Sequence, residues 1–469
     1  MLRRIIFAFL GCFIAVTSAW CQEGFQISPL EPIEKNDRVL IFAPHPDDET
    51  IGCAGIIQQA LKAGADVHVV YLTNGDHNEF AFIVYKKELI LTTSEFIQMG
   101  ELRKKEAVKA MQLLGLNRFR LVFLGYPDYG TFHIFKDYWD SARPFRDFLT
   151  RISSVPYKDD ASYGTPYKAE NILEDLEKVL RLYNPTKIFV SHPADVNVDH
   201  KTFYLFLEIA LADLDWELPR PKIYPYLVHW VGWPTPRHYR PELSLSPPQA
   251  FLGSPISWLE YKLTPQELEK KYQAILAYRS QTASSAFYLL AFARKNELFG
   301  SYPQIKLVIP AKPKKTDKFS VFKKQFAAIF NLSDKKSALN EGIPGELGKF
   351  NFSADDNTFS IRIRKTKESA DRRVTASFYL FGYSFAIPFA QMPKLQIITK
   401  HKKFRVFDGK KEIVAEGMSL DLSRKDLILK VPLKTLGNPD FILAAARAYT
   451  GALPEDRAGF YKINLVREE

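Results

Sequence analysis

Cysteine is scarce in this chain of 469 residues, with only 3, at Cys12, Cys21 and Cys53. So few cannot make a disulfide framework. Long apolar runs are scarce too. The conspicuous one, Ile5 to Val16, falls short of the roughly 20 residues a bilayer-spanning helix needs. Arg3 and Arg4 precede it, and Thr17, Ser18 and Ala19 follow. That layout predicts a secretory signal peptide over residues 1–19, cut after Ala19, hence export to the periplasm or the extracellular space with no integral span left. A lipid on Cys21 ranks lower, because Trp20 before it makes a poor lipidation site. Internal repeats and low-complexity tracts are missing as well. The net charge of +11 comes from lysines and arginines spread along the chain, which reads as a solvated surface and not as a nucleic-acid footprint. Gly52 and Gly55 do not make the glycine fingerprint of a dinucleotide site.

What is present is globular: 46% hydrophobic, 14% aromatic and 25% charged residues. The length exceeds the roughly 250 to 300 residues one core serves, so two domains are expected. From about residue 36 to 310, short β-rich runs alternate with helical ones, the signature of an α/β domain with a mainly parallel sheet. Strands are expected at Arg38–Phe42, Val67–Leu72, Arg120–Leu124 and Lys187–Ser191. Helices are expected at Thr50–Ala63, Glu101–Leu114 and Leu173–Tyr183, with a closing helical segment from Pro265 to Phe299. Between Tyr126 and Lys168 lies a long irregular stretch, a functional loop or an ordinary surface insertion. A basic linker, residues 311–335, leads to residues 336–469, where alternating strands at short intervals suggest an all-β sandwich.

The strongest chemical signal is Ala43-Pro44-His45-Pro46-Asp47-Asp48-Glu49, directly after the first expected strand and before a helix. Ligands of open α/β sheets bind outside the carboxyl ends of strands. Four ionisable groups in five residues resist burial unless a cation holds them. Zinc suits histidine nitrogen and carboxylate oxygen, and a catalytic zinc keeps three protein ligands and one open position. His45 and Asp48 can face one ion, with Asp47 placed as general base. The plainer reading is a helix cap by Asp47 or Asp48. A second cluster, Ser191-His192-Pro193-Ala194-Asp195-Val196-Asn197-Val198-Asp199-His200, also follows an expected strand and supplies His200 as third ligand. His192 is an alternative to it, and Asp195 and Asp199 can orient the groups around the ion.

The two clusters together resemble the PIG-L (LmbE-like) family of N-acetylglucosaminyl deacetylases. His45 to Glu49 match its opening motif, and Asp195, Asp199 and His200 its second. Arg103 with Glu106, Tyr278 to Gln281, and Glu297 to Phe299 are further likenesses, so the resemblance covers roughly residues 36–305. It implies a Rossmann-like α/β fold with helices on both faces of the sheet. It also implies a zinc amidase, or one using another divalent metal, with His45, Asp48 and His200 as ligands, Asp47 as base and an N-acetylated glycan or glycoconjugate as substrate. Asn197 stands where many members carry the histidine that stabilises the oxyanion. An amide can donate a hydrogen bond there but cannot be a cation. His229 is the candidate for the displaced role, or a satisfied histidine beside a core strand. Arg103 is expected to grip substrate oxygens or to pair with Glu106 on its helix. Asp128 is expected to accept a sugar hydroxyl or to serve a turn. The C-terminal strands weakly resemble carbohydrate-binding sandwiches, and a purely structural domain is the alternative. The competing function is a catalytically inactive glycan-binding or scaffolding protein of the cell envelope, motivated by Asn197 and the appended sandwich.

Overall fold

The computed structural model describes residues 25–468 except 79–82, 86, 88–91, 303, 310–347, 366–374, 401–402, 415, 424, 451–452 and 455–458. The expected signal peptide, Cys21 and the linker 311–335 lie outside the described residues.

The first domain is built on an eight-stranded sheet. Its strands are β1 (Ile27–Pro29), β2 (Arg38–Ala43), β3 (Asp66–Thr73), β4 (Leu121–Tyr126), β5 (Lys187–Ser191), β6 (Lys222–Tyr226), β7 (Trp258–Lys262) and β8 (Asn296–Gly300). They lie in the order β1-β7-β8-β6-β5-β2-β3-β4. All neighbours are parallel except β8, which runs antiparallel to β6 and β7. The central strands read as near-continuous apolar runs because both faces are buried. Val39, Ile41 and Ala43 of β2 enter one core with α1 (Asp48–Ala63), α2 (Thr93–Leu114) and α6 (Pro265–Ala277). Leu40 and Phe42 enter the other with α3 (Thr131–Asp137), α4 (Ala169–Tyr183) and α5 (Val198–Asp213). The mainly parallel sheet covered on both sides is as expected.

One part of the sequence reading is corrected. The closing segment is not helical to Phe299: after α6 and α7 (Arg279–Leu289) the chain turns into β8. Glu297 in that strand accepts N–H bonds from Gly55 and Ile56 at 2.9 and 3.2 Å and pairs with buried Lys271 at 2.7 Å. These tertiary contacts override the local helical preference of the segment.

The second domain is a sandwich. One sheet holds β10 (Gly348–Ala354), β11 (Thr358–Lys365), β16 (Ser419–Leu422) and β17 (Asp426–Pro432). The other holds β9 (Ile305–Ile309), β12 (Thr375–Tyr383), β13 (Lys394–Lys400), β14 (Lys403–Asp408), β15 (Lys411–Ile413), β18 (Phe441–Thr450), β19 (Leu453–Pro454) and β20 (Tyr461–Arg467). β9 falls inside the first domain as bounded from sequence, yet it pairs in parallel with β20 and so belongs to the sandwich. Along β12 the two-residue period sends Ala376, Phe378 and Leu380 toward the smaller sheet, while Tyr379, Phe381 and Tyr383 enter the core that holds α3 and α5. No helix among the described residues is long and apolar enough to cross a membrane.

Candidate metal centre

β2 and β5 are neighbours in the parallel sheet. The loops at their carboxyl ends, residues 44–47 and 192–197, therefore leave the same rim side by side. The first runs into α1 and the second into α5. The sheet thus brings together two clusters separated by about 150 positions, as ligand sites at strand ends require.

His45 Nδ1 lies 3.2 Å and His200 Nε2 3.1 Å from the same oxygen, Asp48 Oδ2. One ligand atom from each of His45, Asp48 and His200 falls within 4.8 Å of the others. All three side chains are buried. Among the described residues His200 Nε2 has no hydrogen-bond partner, although the Asp48 oxygen is in reach. A buried, unsatisfied ring nitrogen turned toward a carboxylate and a second imidazole is what a shared cation would satisfy. Two nitrogens and one oxygen also suit zinc.

Each histidine is held from its far side. His200 Nδ1 lies 3.3 Å from Asp195 Oδ2, and Asp195 accepts N–H bonds from Val228, His229 and Asn197 at 3.1, 2.8 and 2.9 Å. His45 Nε2 is 3.0 Å from Asp128 and 3.4 Å from Asp199. Asp199 is fixed in turn by the Tyr129 N–H at 2.7 Å and by the Thr131 hydroxyl. Burial disfavours imidazolium, but the carboxylates outweigh it. They raise His200 to about 9 and His45 well above its ordinary value. The site attracts positive charge from either protons or a metal.

Asp47 sits beside this cluster at φ 128°, a left-handed value that a non-glycine residue adopts only where its surroundings impose it. It makes no side-chain cap bond to α1, so the helix-cap reading does not hold for it. Glu49 accepts the Asp47 N–H at 3.0 Å, and Arg103 donates to Asp47 Oδ2 at 3.2 Å. Burial pushes the Asp47 carboxyl up to about 7 against the pull of Arg103.

These groups open into a cavity of about 200 Å3 whose wall includes His45, Asp47, Asn197, His229, Tyr288 and Gln281. Asn197 caps α5, its side-chain oxygen accepting the Asp199 N–H at 2.8 Å. That use of the oxygen leaves the NH2 group as the end available to a ligand. His229 lies edge-on to His200 with ring centroids 4.8 Å apart, and burial lowers it to about 4. It is therefore a neutral donor or acceptor on the cavity wall, not a cation. His192 is elsewhere: it is fully buried against Trp258 and Tyr302, and its Nδ1 accepts the Ala194 N–H at 3.1 Å.

Arg103 and Asp128 also line the cavity. Arg103 does not pair with Glu106 on its helix: its Nη atoms go to Gly75 O and Pro46 O at 2.9 and 2.8 Å and to Asp47. Gly75, at φ 66°, admits this approach, since a Cβ there would lie 2.1 Å from Arg103 Nη1. Glu106 bonds Ser280 instead. The Asp128 oxygens take His45 Nε2 and, at 3.2 Å, the His77 N–H. Sequence reasoning missed His77, which lines the cavity. A histidine shortly after a strand end was the available signal. Its Nε2 is 3.0 Å from Asp147, and although burial opposes protonation, Asp147 and Asp76 raise it to about 9.

Residues 40–211 match the family model described as PIG-L: GlcNAc-PI de-N-acetylase. A putative glucosamine-6-phosphate deaminase-like protein of Bacteroides thetaiotaomicron is 24% identical over 271 residues, 53% of this chain and 36% of that protein. A 1D-myo-inositol 2-acetamido-2-deoxy-alpha-D-glucopyranoside deacetylase of Rhodococcus jostii is 34% identical over 85 residues, 18% of this chain and 28% of that protein. The matches therefore span about a third of the length of these curated relatives. The solved N,N'-diacetylchitobiose deacetylase of Pyrococcus horikoshii is 22% identical with a TM-score of 0.31, covering 53% of this chain and 72% of that one.

Proposed function

We propose that this chain, whose residues 40–211 are a PIG-L domain, hydrolyses the acetamide of an N-acetylated sugar and releases acetate, with zinc as its metal. The observation that carries the reading is the convergence of His45, Asp48 and His200 beside Asp47 at a cavity. His45, Asp48 and His200 are the residues that would hold the ion. When bound, zinc supplies Lewis-acid polarisation of the amide carbonyl and makes a water acidic enough to attack near neutral pH.

The chain's own groups do the rest. Asp47 takes a proton from the attacking water as the new C–O bond forms. It returns that proton to the nitrogen as the C–N bond breaks, so the amine leaves and the acid formed gives up its remaining proton to the amine or solvent to become acetate. Arg103 keeps the Asp47 carboxylate oriented toward the cavity. The Asn197 NH2 and a neutral His229 N–H, both on the cavity wall, donate to the oxygen that gains charge in the transition state. Neither is cationic, so the oxyanion is held by hydrogen bonds rather than by an imidazolium. The carboxylates that accept from the far side of His45 and His200 keep the ligands in one geometry, which lowers the reorganisation needed when an ion arrives.

The test is a mass-spectrometric screen for loss of acetyl groups from N-acetylated oligosaccharides and glycoconjugates, run with wild type and His45→Ala side by side. Deacetylation by wild type alone supports the reading. A wild-type protein that carries stoichiometric metal but releases no acetate from any acetylated glycan would instead favour the glycan-binding or scaffolding role.

A further inference from the structure

A carbohydrate module hung on a linker would touch its catalytic partner at few points. The sandwich here meets α5, whose amino end carries His200, and α3, whose first residue holds Asp199. The Phe460 N–H donates to Pro193 O at 3.3 Å, inside the loop that leads to His200. Gly459 lies so close that a Cβ would stand 2.8 Å from both Ala194 Cα and Pro193 O. Further along α5, buried Glu208 and Lys462 pair at 2.6 Å, and the Tyr383 hydroxyl donates to Asp213 at 2.7 Å. Burial pushes the Glu208 carboxyl up, but Lys462 outweighs it and the group is held below its ordinary value. On α3, Phe132 packs edge-on to Tyr379 with centroids 5.4 Å apart, and Phe135 to Phe381 at 5.2 Å. That helix begins at Thr131, whose hydroxyl holds Asp199 against His45.

We propose that the sandwich is a positioning part of the metal centre: Gly459, Phe460 and Lys462 hold the loop 193–197 and α5 in the register that carries His200 to His45 and Asp48. The inference rests on the reading that these three residues bind the ion. The close approach at Gly459 is between main chains, so an added methyl group cannot be absorbed by a side-chain rotation, and the loop or β20 must shift. Loss of the Lys462 charge leaves buried Glu208 with only the half-exposed Arg220, 3.6 Å away, as its cation, which loosens α5 along the side that faces the sandwich. Neither residue contacts substrate or metal. Both are positioning residues.

The experiment uses the full chain and three variants. Gly459→Ala and Lys462→Met alter the contact, and Leu429→Ala cuts a fully buried side chain of the smaller sheet, away from α5. Zinc affinity is measured by competition with a chromophoric chelator, and amide exchange is followed over residues 193–200. The two contact variants should bind zinc about tenfold or more weakly, the range expected when the support of a ligand is disturbed. They should also exchange faster over 193–200, while Leu429→Ala lowers the melting temperature without either change. Wild-type affinity and exchange in both contact variants overturn the proposal, as does an equal loss in Leu429→Ala. If wild type itself binds no zinc, the metal reading fails, and the amide exchange still decides whether the sandwich holds this loop.

Discussion

Asp48 Oδ2 is within 3.2 Å of one histidine and 3.1 Å of another, and that shared oxygen explains why so many ionisable groups tolerate burial at one place. Without a cation the carboxylates of Asp47, Asp48, Asp128, Asp195 and Asp199 would repel one another in a poorly solvated site. Asp47→Asn removes the proposed base without touching a proposed ligand, so it is expected to keep its metal and lose about 10²- to 10⁴-fold in kcat. Metal analysis beside acetate release checks this, and equal activity would remove Asp47 from the role. Asp195→Asn leaves the ligand set intact but weakens the hold on His200, and should reduce zinc affinity by about 10- to 100-fold. Unchanged affinity in a chelator titration would contradict that. His45, Asp47 and Asp48 were legible because they are contiguous. His77 was not, and Asp128 was named only as a sugar-hydroxyl acceptor or turn residue and not as the partner of His45, since each leaves a different strand end and only the finished sheet puts them at the same cavity.

The loop after β3 supplies His77 and Asn78 to the cavity wall. The long irregular stretch between Tyr126 and Lys168, which sequence left open between functional loop and surface insertion, packs against that loop instead of standing off in solvent. Asp160 accepts from Asn74 at 2.7 Å, the Tyr157 hydroxyl donates to Asp76 at 2.6 Å, and Asp147 lies 3.0 Å from His77 Nε2. His77 faces Asp76, Asp128 and Asp147, and its value is raised to about 9. A histidine raised on folding adds stability that is complete below its unfolded value of about 6.5 and is lost as pH climbs through about 9. The contribution is about 3 kcal/mol at most. Denaturant melts from pH 6 to 10 should therefore show wild type losing more stability than His77→Gln, and parallel curves would refute the coupling. The strands β2, β3 and β5 were readable because they are apolar on both faces and bounded by turns. β8 was not, because Glu297 is explained only by the distant Gly55, Ile56 and Lys271.

At the scale of the whole molecule the two domains share a core, which the change in sequence texture after Pro310 could not reveal. Composition and alternation were enough to identify a sandwich, but side-chain pattern alone does not say what covers its second face. Tyr379, Phe381 and Phe441 are buried there with Phe132, Phe135 and Phe206 of the first domain. A chain ended at residue 304 would expose those aromatic rings over a wide area, and such surfaces aggregate. It should be insoluble or lack a cooperative melt by circular dichroism, whereas a soluble, cooperatively folded fragment would show that the domains are separable. The proposed hydrolysis depends most on three side chains holding one divalent ion next to Asp47. The direct measurement is to strip the metal from the full chain, add zinc stepwise and follow acetate released from an N-acetylglucosamine oligosaccharide. Release should rise in proportion to zinc, level off at one equivalent, and stay near zero in Asp47→Asn at the same loading. Turnover by the stripped protein, or one bound equivalent with no acetate released, would contradict the account.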